Sequence, residues 1–132
     1  MARAVFVDSG AFYALIDRRD ARHADAVSGL DTIRRRGSKL FTSNLVVAEA
    51  HGLALRRLGR AMAAQWLASL PHNVIYQSDV DHDRAVSVIA RYQDQDFSYT
   101  DAVSFVIMER LGIRTAFAFD VDFRVYGFDM IP

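Results

Sequence analysis

The chain has 132 residues, of which 52% are hydrophobic and 24% charged, with 16 basic side chains against 16 acidic ones. This suits a single packed domain over residues 1–132, able to bury about two-thirds of its unfolded surface, and excludes a disordered chain. The lack of cysteine excludes disulfides, thiolate zinc sites and a cysteine nucleophile, and no apolar run approaches the ~18–20 residues of a membrane helix.

Ala4–Val7 reads as a first strand. It is too short for a signal peptide and stops at Asp8, so the cytoplasm is the expected compartment. A Ser9-Gly10 corner then leads into a helix through Asp17, and a second helix spans His23–Arg36 and stops at Gly37. Lys39–Thr42 is a short strand, followed by helices over Leu45–Leu58, closed by Gly59, and Arg60–Leu70, stopped before Pro71. Val74–Gln77 is strand-like. Asp79–Gln93 is helical, with Ala85, Val86, Ile89 and Tyr92 on one stripe. Tyr99–Leu111 is a helix ending at Gly112, Thr115–Phe119 a buried strand, Asp122–Gly127 a short helix or turn, and Phe128–Ile131 a final edge strand. Short apolar strands alternating with helices predict an α/β domain with a parallel sheet.

Four acids fall where one element gives way to the next: Asp8, Glu49, Asp101 and Asp120. Carboxylates gathered at element ends are what holds Mg²⁺ or Mn²⁺, and such a metal can polarise a phosphodiester and activate water. Each acid also has a plainer reading. Asp8 fits a helix N-cap. Asp101 completes the capping-box pattern of Ser98-Tyr99-Thr100-Asp101 and suits the electropositive helix start. Glu49, one of two glutamates, lies in the apolar run Leu45–Ala50, where burial demands a metal or an arginine as partner. Asp120 follows a strand, and Asp122 either caps the next helix or joins the cluster. Together the acids argue more strongly than singly, because like charges in one pocket need a cation to remain ionised.

Fifteen of the sixteen basic residues are arginine, in clusters at Arg18-Arg19-Arg22, Arg34-Arg35-Arg36 and Arg56-Arg57-Arg60. They fit either solvated helix faces or grips on a nucleic-acid backbone. His23, His51, His72 and His82 read as structural or surface residues. Ser9 has no nucleophile elbow around it and suits a hydrogen-bonding role beside the acids. Phe6, Phe12 and Tyr13 read as core or interface.

The segments VFVDSGAFYAL, VVAEA, FSYTDAVSFVIMERLGI and AFAFDVDFRVYGF, spanning nearly the whole chain, resemble the PIN-domain ribonucleases and, within them, the VapC toxins of type II toxin–antitoxin systems. The resemblance implies a three-layer α/β/α fold with a central parallel sheet and an acidic pocket at the strand ends. It implies Asp8, Glu49, Asp101 and Asp120 as the catalytic and metal-binding set, with Asp8, Asp101 and Asp120 on the metal and Glu49 serving the attacking water. Ser9, Thr100 and Asp122 are implied as supporting residues. It further implies Mg²⁺- or Mn²⁺-dependent hydrolysis of a structured RNA such as tRNA or rRNA, a homodimer, and a cognate antitoxin. Met62, Trp66, Leu67 and Leu70 are candidates for protein contacts or for core. Two rival readings are a PIN-like module that binds RNA or protein without catalysis, and a haloacid-dehalogenase-like phosphatase. The second is opposed by Gly10, where that chemistry has a second Asp, and by Lys39 being the only lysine.

Overall fold

A computed structural model describes residues 3–70 and 73–132; His72 lies outside the described residues. The elements in chain order are β1 (Ala4–Val7), α1 (Ser9–Ile16), α2 (His23–Arg35), β2 (Lys39–Ser43), α3 (Asn44–Leu58) and α4 (Arg60–Ala68). They continue with β3 (Val74–Ile75), α5 (Asp79–Arg91), α6 (Tyr99–Leu111), β4 (Thr115–Phe117), α7 (Asp122–Tyr126) and β5 (Asp129–Ile131). The strands form one sheet in the order β3-β2-β1-β4-β5, and every neighbouring pair is parallel.

The central strand shows why helices cover both faces of the sheet. Successive side chains of a strand point to opposite faces, and Val5, Phe6 and Val7 are all 3% exposed or less. A parallel sheet buried on both faces is the middle layer of a three-layer α/β/α domain. The close approach of α2 is visible at Gly29, where a Cβ would lie 3.1 Å from the Phe117 ring and 3.3 Å from Ile131. The chain runs from β1 outward through β2 to β3, then returns to place β4 on the other side of β1. That reversal makes the carboxyl ends of β1 and β4 a crevice, the usual ligand position in open parallel sheets.

Helices α6 and α7 are packed together by aromatic residues around Phe105, whose ring meets Phe97 at 5.1 Å, Phe123 at 5.1 Å and Tyr126 at 4.5 Å. The start of α5 is tied to the end of α6 by a single buried acid. Asp81 is fully buried, closes a capping box with Ser78, and accepts two 2.9 Å bonds from Arg110. This corrects the expected stripe of α5: the residues that face inward are Asp81, Ala85 and Val88, while Val86 and Ile89 are 50% and 39% exposed. Spacings of four and three residues from Asp81 follow the helical period, and the pair Val86/Ile89 lies one step around.

Four elements end two residues earlier than expected. β4 stops at Phe117, although beyond it Ala118 N–H still bonds Ile131 C=O. β3 stops at Ile75, and Gln77 N–H turns to the Asn44 side chain instead. α4 ends at Ala68 because both Ser69 N–H and its hydroxyl bond Trp66 C=O, and α5 ends at Arg91 as Tyr92 leaves helical geometry. Of the candidate contact residues, Trp66 and Leu70 pack against the core, with Trp66 edge-on to Phe12 at 5.2 Å, whereas Met62 and Leu67 are exposed.

Removing the cation that faces Asp81 leaves an uncompensated buried charge, which typically costs about 3–5 kcal/mol. Arg110→Ala is therefore expected to lower the urea midpoint sharply at pH 7; a change within about 0.5 kcal/mol would mean that Arg110 is an ordinary surface residue.

Candidate metal centre

The crevice at the strand ends is an open cavity of about 610 Å³. Its lining includes Asp8, Ser9, Gly10, Glu49, Asp101 and Asp120, together with Arg22, Ser98, Phe119 and Val121. Three strands and the helices that follow them bring these groups together. β1 delivers Asp8, whose own N–H bonds Phe117 C=O on β4 at 3.0 Å. The helix following β2 delivers Glu49, and the loop after β4 delivers Asp120.

Asp8 occupies the N-cap position of α1, yet its side chain makes no capping hydrogen bond. The residue is only 5% exposed, and its Oδ1 has no hydrogen-bond partner among the described residues. Burial is the largest influence on this carboxyl, and with the negative charges of Asp101, Glu49 and Asp120 it outweighs the Ser9 amide, raising the pKa from 3.8 to about 7. A group that costly to ionise has a use for its charge.

Asp101 does two things. Its N–H bonds Ser98 Oγ at 3.0 Å and its Oδ2 accepts from Ser98 N–H at 3.3 Å, completing the capping box that starts α6. It also faces the cluster: carboxylate oxygens of Asp101, Asp120 and Asp122 lie within 4.8 Å of one another. Burial first, and then the charge of Asp120, push the Asp101 pKa up to about 6. Asp122 is likewise raised, chiefly by burial and by Asp120. The Asp122 N–H bonds Asp120 Oδ1 at 2.9 Å, which fixes the turn leading into α7.

Glu49 differs from expectation. It is exposed at the cavity rim, not buried in the apolar face of α3, because the inward positions of that helix are Val46, Ala50 and Ala54. Its partner is the Ser9 hydroxyl, which donates to Glu49 Oε1. Thr100 does not line the cavity; its carbonyl accepts from Ser104 Oγ within α6. Asp122 is absent from the lining but belongs to the three-carboxylate cluster.

Two lining residues meet in a way the sequence does not announce. The Arg22 guanidinium lies over the Phe119 ring, 5.1 Å from its centroid. Arg22 belongs to a basic cluster that fits either a solvated face or a grip on nucleic acid, and nothing local links it to a residue 97 positions away, so only the fold reveals the pair.

The PIN domain model matches residues 5–129. Over 130 residues, 94% of this chain and 95% of the other, it is 35% identical to the 23S rRNA-specific endonuclease VapC20 of Mycobacterium tuberculosis. The chain belongs to the PIN-domain family, among its VapC proteins. A VapC ribonuclease of Archaeoglobus fulgidus is 29% identical over 117 residues, covering 84% of this chain and 74% of that protein. The crystal structure of M. tuberculosis VapC20, described as a Sarcin-Ricin loop cleaving toxin, superposes with a TM-score of 0.86 at 31% identity, covering 94% of this PIN domain and 95% of that chain.

The raised Asp8 pKa has a stability consequence whose sign is opposite to that of an ion-paired acid. The folded state holds the proton more tightly than the unfolded state does, so this contribution is full below about pH 4 and is lost as pH rises through about 7. In EDTA at pH 8, Asp8→Asn should therefore be more stable than the parent PIN domain by roughly 1–4 kcal/mol, with the difference shrinking toward pH 4. Thermal melts at both pH values measure it; a mutant less stable at pH 8 would mean that Asp8 has a partner in the folded state.

Proposed function

We propose that this PIN domain is a divalent-metal-dependent endoribonuclease, a VapC-like toxin that hydrolyses phosphodiester bonds in structured RNA and is held in check by a cognate antitoxin. The observation that carries this reading is the unpartnered, buried Oδ1 of Asp8 facing three further carboxylates across one open cavity. An all-oxygen, strongly acidic donor set suits a hard cation such as Mg²⁺ or Mn²⁺. The names of the relatives, an rRNA endonuclease and a VapC ribonuclease, support RNA as substrate. They also make the 23S rRNA loop cut by VapC20 the first target to try, ahead of tRNA.

Asp8, Asp101 and Asp120 would hold the metal, with Asp122 closing the same cluster. When bound, such a cation polarises the phosphodiester and offsets charge developing on it. Glu49, at the rim, is the most accessible acid of the set. The Ser9 hydroxyl occupies its Oε1 and orients the side chain, which leaves Oε2 to accept the proton of the attacking water. In-line attack of that water on phosphorus breaks the bond to the 3′ oxygen, which leaves as a hydroxyl once protonated, and the other fragment keeps a 5′-phosphate. The complete acidic set supports an enzyme over a binding module that has lost catalysis.

The same reading includes a homodimer and an antitoxin-binding face. The exposed Leu55, Met62 and Leu67 on α3 and α4 supply an apolar surface for such contacts. Among the described residues no helix is long and apolar enough to cross a membrane, and an RNA target places the protein's work in the cytoplasm.

Purified protein incubated with total RNA and Mn²⁺ should give discrete fragments with 5′-phosphate ends. EDTA should abolish them, and Asp8→Asn or Asp101→Asn should reduce the rate by more than the ~10–100-fold typical of losing a residue that only orients a ligand. Ser9→Ala should fall inside that ~10–100-fold range, since it disorders Glu49 without removing it. Metal-independent cleavage, or full activity in Asp101→Asn, would defeat the assignment.

A further inference from the structure

The acidic cavity has one cationic side chain in its lining, Arg22, and that cation is not used by the protein itself. Among the described residues its guanidinium forms no ion pair and no hydrogen bond, although four carboxylates share the cavity; the ion pairs found are Arg35–Asp31 and Arg110–Asp81. Instead its Cζ lies over the Phe119 ring, 5.1 Å from the centroid. Such a cation–π contact seats the guanidinium on the ring without using its N–H donors.

The backbone beneath Arg22 is also fixed. Its N–H bonds Asp20 Oδ1 at 2.8 Å and its carbonyl accepts from Ala26 N–H at 2.9 Å, opening α2. One residue on, His23 Nδ1 is 2.7 Å from Ala14 C=O, which ties the start of α2 to α1. At the loop's other end Asp17 accepts from the Tyr13 hydroxyl at 2.6 Å and from Arg19 N–H at 2.9 Å. An arginine fixed at its backbone and seated over an aromatic ring, with its donors open, is built to meet an anion from outside. Phe119, covered by the guanidinium on one face, serves as a platform for the arginine and not as a free shelf for a base.

We propose that Arg22, positioned by Phe119, is the phosphate-binding residue of this site: it grips the RNA backbone beside the acids and so holds the scissile phosphodiester against them. The inference rests on the nuclease reading for its substrate, but its binding consequence can be measured without cleavage. A guanidinium fork also answers an otherwise awkward feature of the cavity, since four carboxylates repel a polyanion that must enter it.

The test uses a fluorescein-labelled 23S rRNA hairpin, followed by anisotropy in EDTA and by cleavage in Mn²⁺. Arg22→Ala should weaken hairpin binding about tenfold and lower the slope of log affinity against log salt by about one. In cleavage it should raise KM by a similar factor, with kcat changed less than about threefold. Arg22→Lys should keep the salt slope but recover only part of the affinity, because it loses the planar fork. Phe119→Leu should weaken binding on its own and add nothing in the Arg22→Ala background. Mn²⁺ affinity and melting temperature should stay unchanged in the Arg22 variants. Unchanged RNA binding and salt slope in Arg22→Ala would overturn the proposal, as would a loss of RNA binding that only follows lost Mn²⁺ affinity. If the parent protein binds the hairpin in an Arg22-dependent way yet never cleaves RNA, the nuclease reading fails while this one stands.

Discussion

The structure is organised around keeping one carboxylate where it is expensive to keep. Asp8 sits at the end of the central strand, nearly out of contact with water, with one oxygen unpaired and like charges on three sides. Leaving a buried polar group unsatisfied costs on the order of 1–3 kcal/mol, and more if it is charged. The rest of the domain supplies the rigidity that prevents relaxation. β1 is hydrogen-bonded on both sides, its side chains are buried on both faces, and the Asp8 N–H is pinned to β4. A divalent cation turns the same arrangement from a liability into a binding site, because its charge reverses the local electrostatics.

Around Asp8 the other acids are placed by interactions that serve folding at the same time. Asp101 closes the capping box of α6, and Asp120 closes the turn into α7. A cap contributes about 1 kcal/mol, which is modest next to what crowding the carboxylates costs, so capping explains where Asp101 points but not why three other acids surround it. Ser9 ties Glu49 to the first turn of α1, so the β1–α1 corner and α3, 40 residues apart in sequence, share one hydrogen bond. This division of labour explains why each acid had a plausible structural reading taken alone.

The order of strands and helices was legible in the chain because local chemistry marks the boundaries. Ser98 with Asp101 starts α6, Gly112 in a left-handed conformation ends it, and Gly59 separates α3 from α4. The strand-end positions of Asp8 and Asp120 followed from the same marks. What was not legible depended on partners distant in sequence. β3 ends as Gln77 N–H turns to the Asn44 side chain, a partner 33 residues away. Glu49 looked buried from its apolar neighbours, but helix α3 turns Val46, Ala50 and Ala54 inward and leaves Glu49 at the rim. Asp81 carried the same spacing from Ser78 that marks Asp101 from Ser98, yet its burial needed Arg110, 29 residues on, to become intelligible. The Arg22–Phe119 pair has no local signature at all.

Below about pH 7 Asp8 holds a proton that a bound cation must displace, so metal binding is linked to proton release. Calorimetric titration of Mn²⁺ into the protein at pH 6.5, repeated in buffers of different ionisation enthalpy, counts the protons released. Release of about one proton per metal bound is expected, falling toward zero at pH 9, with a marked loss of both affinity and release in Asp8→Asn. Binding of equal strength with no proton release, unchanged in Asp8→Asn, would contradict this linkage.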